Sequence, residues 1–218
     1  MTPLASTTST PSGPARILCV DDHPVVRDGI SFIVNRQPDL EVVGCAGTGE
    51  EAIALFRQLK PDITLMDLQL PGVSGLEAIR TIRRDDPQAR VIVLTMYRGD
   101  EDIYRALQAG AAAYLLKDTL SDHLVQVIRD VRAGTHATEL YVQERLAERA
   151  EHAQLTSREL EVLELIARAM RTKEIAASLG ISEETARVHV KNILAKFGVS
   201  DRIAAVNIAR SRGWIHML

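Results

Sequence analysis

The chain has 218 residues, of which 46% are hydrophobic, 25% charged and only 4% aromatic, with a formal net charge of −3. That composition excludes a largely disordered or fibrous chain, and the length suits one large domain or two small ones with aliphatic cores. Two cysteines cannot build a disulfide scaffold, and no run of about 18 apolar residues is present to span a membrane. Residues 1–14 (MTPLASTTSTPSGP) lack both a basic start and an apolar stretch, and read as a disordered leader rather than a signal peptide. From residue 15 to 133, short apolar runs alternate with amphipathic stretches. The strand candidates are Ile17–Val20, Val42–Cys45, Ile63–Met66, Val91–Leu94 and Ala113–Leu116. They are short and aliphatic throughout, as in a parallel sheet buried on both faces. Val26, Ile30, Ile33 and Val34 share one helical face, as do Leu124, Val127, Ile128 and Val131. Five such βα units predict a doubly wound α/β domain with its ligands at the carboxyl ends of the strands. Cys19 and Cys45 both lie in apolar runs, so buried, reduced thiols of a cytoplasmic protein are expected.

Residues 134–154 are charged and Ala-rich, and read as a partly helical linker. From 155 to 218 the β-branched runs give way to a small all-α module of three or four helices. Thr156-Ser157-Arg158-Glu159 is a capping box that opens the first of them. A second, Lys173–Leu179, stops at Gly180, and Ser182 caps a third that runs to about Phe197. The tight turn through Gly180 between two helices is a helix-turn-helix pattern. Charge is divided between these segments: residues 1–134 carry a net −4, 135–154 a net −2, and 155–218 a net +3. A basic module on an acidic one permits nucleic-acid binding that the whole-chain charge would argue against.

The strand ends carry the chemistry. Asp21 and Asp22 follow the first strand, Asp67 the third, Thr95 the fourth and Lys117 the fifth. In a doubly wound sheet these positions meet at one edge. Crowded carboxylates need a cation, and oxygen ligands with room for water suit Mg²⁺. A lysine and a hydroxyl opposite them can hold phosphoryl oxygens, and a carboxylate can attack phosphorus to give an acyl phosphate. Any one of these residues alone reads more simply as a cap or a solvated charge; Asp21-Asp22, for instance, could cap a helix at Pro24. The joint pattern is what points to phosphoryl acceptance. Two glycine-rich stretches are decoys. Residues 44–49 lack both a GxGxxG and a GK[S/T], so they read as a turn into a helix. Residues 72–75 are not a GxSxG elbow, and Ser74 reads as a helix cap. His23 reads as a solvated or capping residue.

Residues 17–117 resemble the receiver domain of bacterial two-component response regulators, through VDDHPVVRDG (20–29), DITLMDLQLPGVSGLEAIR (62–80), VIVLTMY (91–97) and AGAAAYLLKD (109–118). The resemblance implies that Asp67 is the phosphoacceptor. It implies that Asp21, Asp22 and Asp67 bind Mg²⁺ with the Gln69 main-chain carbonyl, and that Lys117 contacts the phosphoryl group. Thr95 and Tyr114 would be a switch pair in which the hydroxyl moves toward the phosphoryl and the ring turns inward. Asp118 stands where many receivers have proline, which affects the following loop.

The third C-terminal helix turns Ala186, Val190, Ile193, Leu194 and Phe197 inward and leaves Glu184, Val188, Lys191 and Asn192 outward, with Arg187 on the flank. An outward valine among basic and amide groups suits a major-groove helix. Residues 155–209 are similar to the LuxR-type helix-turn-helix of NarL/FixJ response regulators. That likeness implies base contacts from Arg187, Val188 and Lys191, phosphate contacts from Thr172, Lys173, Thr185 and Asn192, and dimerisation through Val206 and Ala209. Ala169 replaces a common glycine, implying a less sharp end to the first helix, and Ala186 replaces a common valine. The expected whole is a phosphorylation-regulated, dimeric DNA-binding transcription factor, partnered by a sensor histidine kinase and a double-stranded operator. A phosphorylation-independent DNA-binding regulator is one alternative. An aspartate-based phosphatase is another, though such enzymes typically carry an acid/base aspartate where this chain has Gln69.

Overall fold

The structure, a computed structural model, describes residues 13–134 and 140–216. Most of the expected leader, and residues 135–139 of the expected linker, lie outside the described residues. The described residues form two compact bodies, one of residues 13–95 and 110–134, the other of residues 96–109 and 140–216.

The first body is built on five parallel strands, β1 (Ala15–Val20), β2 (Leu40–Ala46), β3 (Ile63–Met66), β4 (Val91–Thr95) and β5 (Ala113–Leu116), in the order β2-β1-β3-β4-β5. Each predicted strand is present within a few residues of its expected ends. Every residue of β3, β4 and β5 is buried, which is why these runs show no polar alternation. Helices α1 (Pro24–Asn35) and α5 (Leu120–Arg132) pack Ile30, Val34, Leu124 and Ile128 against Ile17, Ile63, Leu65 and Ile92 on one sheet face. Helices α2 (Gly49–Leu59) and α3 (Gly75–Asp85) pack against each other, and α2 lies on β1 and β2. Both start on side-chain caps. Thr48 Oγ1 accepts from Glu51 N at 3.2 Å, and Ser74 and Glu77 form a reciprocal capping box. The two decoy glycine-rich stretches are therefore helix starts. A 3₁₀ turn, Lys117–Thr119, leads from β5 into α5, so Asp118 carries the chain from the lysine directly into helical turns.

Cys45 departs from expectation: Cys19 is buried, but Cys45 is exposed. Cys45 lies on β2, an edge strand whose residues Glu41 to Cys45 are exposed or half-buried, unlike the opposite edge, β5, which is buried throughout.

In the second body, α4 (Asp100–Gln108) packs on α6 (Leu140–Glu151), and α7 (Ser157–Ala167), α8 (Thr172–Leu179), α9 (Glu183–Phe197) and α10 (Arg202–Ser211) enclose a core of Val162, Leu163, Ile175, Ile193, Phe197 and Trp214. The first turn of α4 holds three carboxylates, Asp100, Glu101 and Asp102, all under 7% exposed. His152 lies 3.0 Å from Asp100, Arg105 and Arg149 each 2.8 Å from Glu101, and His216 2.9 Å from Asp102. The capping box at α7 is present, and Lys196 Nζ adds a 2.6 Å bond to Glu159 Oε2. Ala169 does not blunt the end of α7. It takes the left-handed backbone, φ +60°, that the family's glycine would take, and Met170 N closes the turn on Leu165 O at 3.1 Å. Among the described residues no helix is long and apolar enough to cross a membrane.

Candidate functional site

The strand-end residues meet as the alternation of strand and helix requires. Asp21 follows β1 directly and Asp67 follows β3, and the two strands are hydrogen-bonded neighbours in register from Ile17↔Ile63 to Val20↔Met66. Asp67 N donates to Val20 O at 2.9 Å and Asp21 N to Ala46 O at 3.1 Å, so backbone bonds hold both acids at the sheet edge. The loop after Asp67 is held close by Gly75. A Cβ there would lie 1.9 Å from the Asp67 carbonyl oxygen, so only glycine lets α3 start beside the acid.

Lys117 enters from the end of β5. Its Nζ is 2.6 Å from Asp67 Oδ2 and 2.6 Å from Asp21 Oδ2, with its side chain 10% exposed. Burial pushes the Asp67 carboxyl above its ordinary value, and Lys117 offsets this only in part. Burial alone would lower the Lys117 ammonium, but the Asp21 and Asp67 carboxylates raise it. One cation thus serves two buried carboxylates. Asp22 is held separately, its Oδ1 2.6 Å from His23 Nδ1. His23 occupies the cap position of α1, yet its side chain makes no cap bond; it turns to Asp22 instead. Asp21, Asp22 and His23 present ligand atoms within 4.8 Å of one another. A set dominated by carboxylate oxygens and short of positive charge fits a hard divalent cation. Gln69 N lies 3.4 Å from Asp67 Oδ1. Thr95 and Tyr114 are 0% and 1% exposed, so the tyrosine ring is already turned inward.

On α9, Ala186, Val190, Ile193 and Phe197 are buried as expected, while Leu194 is half-buried. Glu184, Arg187, Lys191 and Asn192 face solvent, and Val188 is 49% exposed. Gly180, at φ +63°, makes the left-handed turn between α8 and α9. Two of the four expected phosphate contacts have internal partners: Thr172 Oγ1 accepts from Arg202 at 2.5 Å, and Thr185 Oγ1 lies 2.8 Å from Ser182 Oγ. Lys173 is exposed, and Arg187 is turned back on Glu183 at 2.7 Å. The expected pair on α10 divides. Val206 is half-buried, but Ala209 is 0% exposed and belongs to the module's own core, so it cannot meet a second chain. Ile203, which sequence reasoning missed, is 76% exposed on α10. It shares a groove with Val206, Asn207 and Met170.

Comparison with known proteins decides the family. The model for the response regulator receiver domain matches residues 17–129, and that for bacterial regulatory proteins of the luxR family matches residues 153–209. This chain belongs to the two-component response regulators. Response regulator protein VraR of Staphylococcus aureus is 42% identical over 196 residues, spanning 88% of this chain and 94% of VraR. A LuxR-family two-component response regulator from Aurantimonas sp. SI85-9A1 is 40% identical with a TM-score of 0.61, covering 64% of this chain and 100% of that one. RcsB, solved as two dimers bound to two parallel DNAs, is 27% identical with a TM-score of 0.67, covering 91% of this chain and 99% of RcsB. The response regulator described here therefore joins a receiver to a LuxR-type helix-turn-helix. Its family comprises DNA-binding transcriptional regulators rather than metabolic enzymes, which removes the phosphatase alternative.

Proposed function

We propose that Asp67 is the phosphoacceptor and that its phosphorylation controls DNA binding by the C-terminal module. The observation that carries this reading is the shared ion pair, with Lys117 Nζ 2.6 Å from both Asp67 and Asp21. It supports a carboxylate held beside a cation that can move onto an incoming phosphoryl oxygen. An Asp67 carboxylate oxygen attacks phosphorus, the bond from phosphorus to the donor atom breaks, and Lys117 pairs with the transferred group. The donor is a sensor histidine kinase or a small phosphodonor. Asp21, Asp22 and Asp67, with the Gln69 carbonyl, would hold Mg²⁺, which would supply charge neutralisation for the carboxylates and the phosphoryl oxygens. Of these, Asp21 and Asp22 already present ligand atoms within 4.8 Å of each other, together with His23 rather than Asp67. The buried Thr95 hydroxyl is the group that follows the phosphoryl, and the Tyr114 ring already holds the inward position that this movement would favour.

Arg187, Val188 and Lys191 contact bases, and Lys173, Asn192, Thr172 and Thr185 contact phosphates, in a double-stranded operator. A net charge of +3 over residues 155–218 favours binding as a homodimer on paired half-sites over tight binding by one copy. Val206, with the exposed Ile203, offers the contact between copies. The domains run 15–133, 134–154 and 155–218 as receiver, linker and DNA-binding module, in a cytoplasmic protein.

Intact mass after incubation with Mg²⁺ and a phosphodonor tests the reading. One phosphoryl adduct of about 80 Da on the parent and none on Asp67→Asn is expected. Equal adducts on both, or a DNA-binding response to the donor that survives Asp67→Asn, would overturn it. The latter result would favour regulation independent of Asp67.

A further inference from the structure

The two cysteines meet across the sheet edge through an irregularity in strand pairing. β1 and β2 run in register from Ala15↔Leu40 to Ile17↔Val42, then shift by one residue, so that Leu18 pairs with Gly44 and Cys19 with Cys45. Without the extra residue, Val43, Cys19 would lie opposite Gly44, and Cys45 would project from the other face. With it, both sulfurs lie on the α1 side. Cys19 packs with Ile30 and Val34 of α1, and Cys45 Sγ is 3.7 Å from Ser31 Oγ on the same helix. Neighbouring strands stand about 4.8 Å apart, inside the Cα separation of roughly 4.4–6.8 Å that a disulfide needs. One partner is open to solvent and the other fully buried, at 0% exposed.

We propose that Cys19 and Cys45 are a redox-active thiol pair, oxidised by hydroperoxides to a disulfide that ties β1 to β2. Cys45 Sγ, the exposed member, attacks the peroxide oxygen. The O–O bond breaks, sulfur is oxidised to the sulfenic acid, and the peroxide leaves as water or an alcohol. Cys19 Sγ then attacks Cys45 Sγ, the S–O bond breaks, and the hydroxyl departs as water with the Cys19 proton. Exposure sets this order, since Cys45 is open to solvent and Cys19, whose thiol the Cys45 contact and burial hold up, is not. A hydrogen bond from Cys19, assisted by Ser31 and by the positive charge of Arg27, holds the Cys45 thiol down at about 6 against the effect of burial. The pair can form with little backbone movement because strand pairing has already set the two residues side by side. It lies one residue from the Asp21 N to Ala46 O bond, the last link between β2 and the acidic site. The inference concerns the thiols alone and does not depend on phosphorylation of Asp67.

The test is on the 218-residue chain, whose two cysteines are Cys19 and Cys45. The reduced protein is treated with a small excess of hydrogen peroxide, denatured, alkylated and weighed, and the peptides are mapped without reduction. The expected result is the loss of two hydrogens, no alkylation, and a cross-linked peptide pair joining Cys19 to Cys45. In Cys45→Ser, which alters an exposed residue, Cys19 should remain fully alkylatable at the same peroxide dose. In Cys19→Ala, Cys45 should stop at the sulfenic acid and be trapped by a 1,3-dicarbonyl reagent. Circular dichroism and native mass establish that each variant is folded before it is scored. Two free thiols in the treated parent would overturn the proposal. So would a disulfide joining Cys45 to Cys45 of a second copy in place of the intramolecular link.

Discussion

Among the described residues two clusters of buried carboxylates stand out, and they are supplied with counter-charge in different ways. At the receiver edge, Asp21 and Asp67 share one lysine, Lys117, with His23, 3.5 Å from Asp21, as a further basic neighbour. At the start of α4, three carboxylates have four basic partners: His152 for Asp100, Arg105 and Arg149 for Glu101, and His216 for Asp102. The first arrangement leaves negative charge in excess, which costs stability and makes a place for a divalent cation or a phosphoryl group. The second gives every carboxylate a basic partner of its own, though His216 offsets only in part the burial that raises Asp102, and it holds α4 to the helices and chain end of its own body. Buried acidity therefore marks a reactive site only where the protein withholds its own counter-charge.

The same chemical change should then have opposite effects in the two places. Glu101→Gln leaves Arg105 and Arg149 without their carboxylate in a largely buried site, and should cost the second body about 3 kcal/mol in urea unfolding. Asp67→Asn should instead raise the stability of the receiver by about 1 kcal/mol in the absence of divalent cations, because burial has already made the ionised form unfavourable. A loss of stability in Asp67→Asn would break the comparison.

The pH dependence sharpens it. A carboxylate whose folded value is raised binds its proton more readily in the folded state than in the unfolded one. The receiver should gain stability as pH falls through the raised Asp67 value toward the ordinary 3.8, and Asp67→Asn should lack that gain. Glu159 behaves in the reverse sense. Burial raises it, but Lys196 and the Thr156 donors outweigh burial and hold it below 4.5. Its contribution is present above 4.5 and is lost as pH falls through the lowered folded value. Thermal melts of parent and Glu159→Gln should therefore differ at neutral pH, by about 1 kcal/mol for the lost charge-assisted bonds, and converge in acid. The smallest expected effect is at Ala169. Replacing it with glycine relieves a left-handed alanine and should stabilise the second body by about 1 kcal/mol or less, read as a small rise in its melting temperature.

Much of the receiver site was legible because its parts are local. A strand end followed by an acid or a lysine is visible in the one-dimensional pattern, and parallel topology brings such ends together. The helix-turn-helix was legible for the same reason, through Ser182, Gly180 and the period of α9. What escaped was set by distant neighbours. Asp100, Glu101 and Asp102 look like ordinary first-turn acids that complement the helix dipole; only the distant His152, Arg149 and His216 bury them. Ala209 and Val206 lie three residues apart on one helix, yet one is fully buried in the core and the other only half-buried at its margin.

The residue order by itself determined the strands, the helices with their caps, and which acids stand at strand ends, because backbone preference and side-chain period act within a few residues. Tertiary structure alone decided that Lys117 bridges Asp67 to Asp21, that Ala169 adopts a glycine's backbone, and that Cys45 is exposed beside Cys19. Those outcomes depend on strand order, a one-residue shift in register and packing between segments far apart in the chain, which no local pattern records.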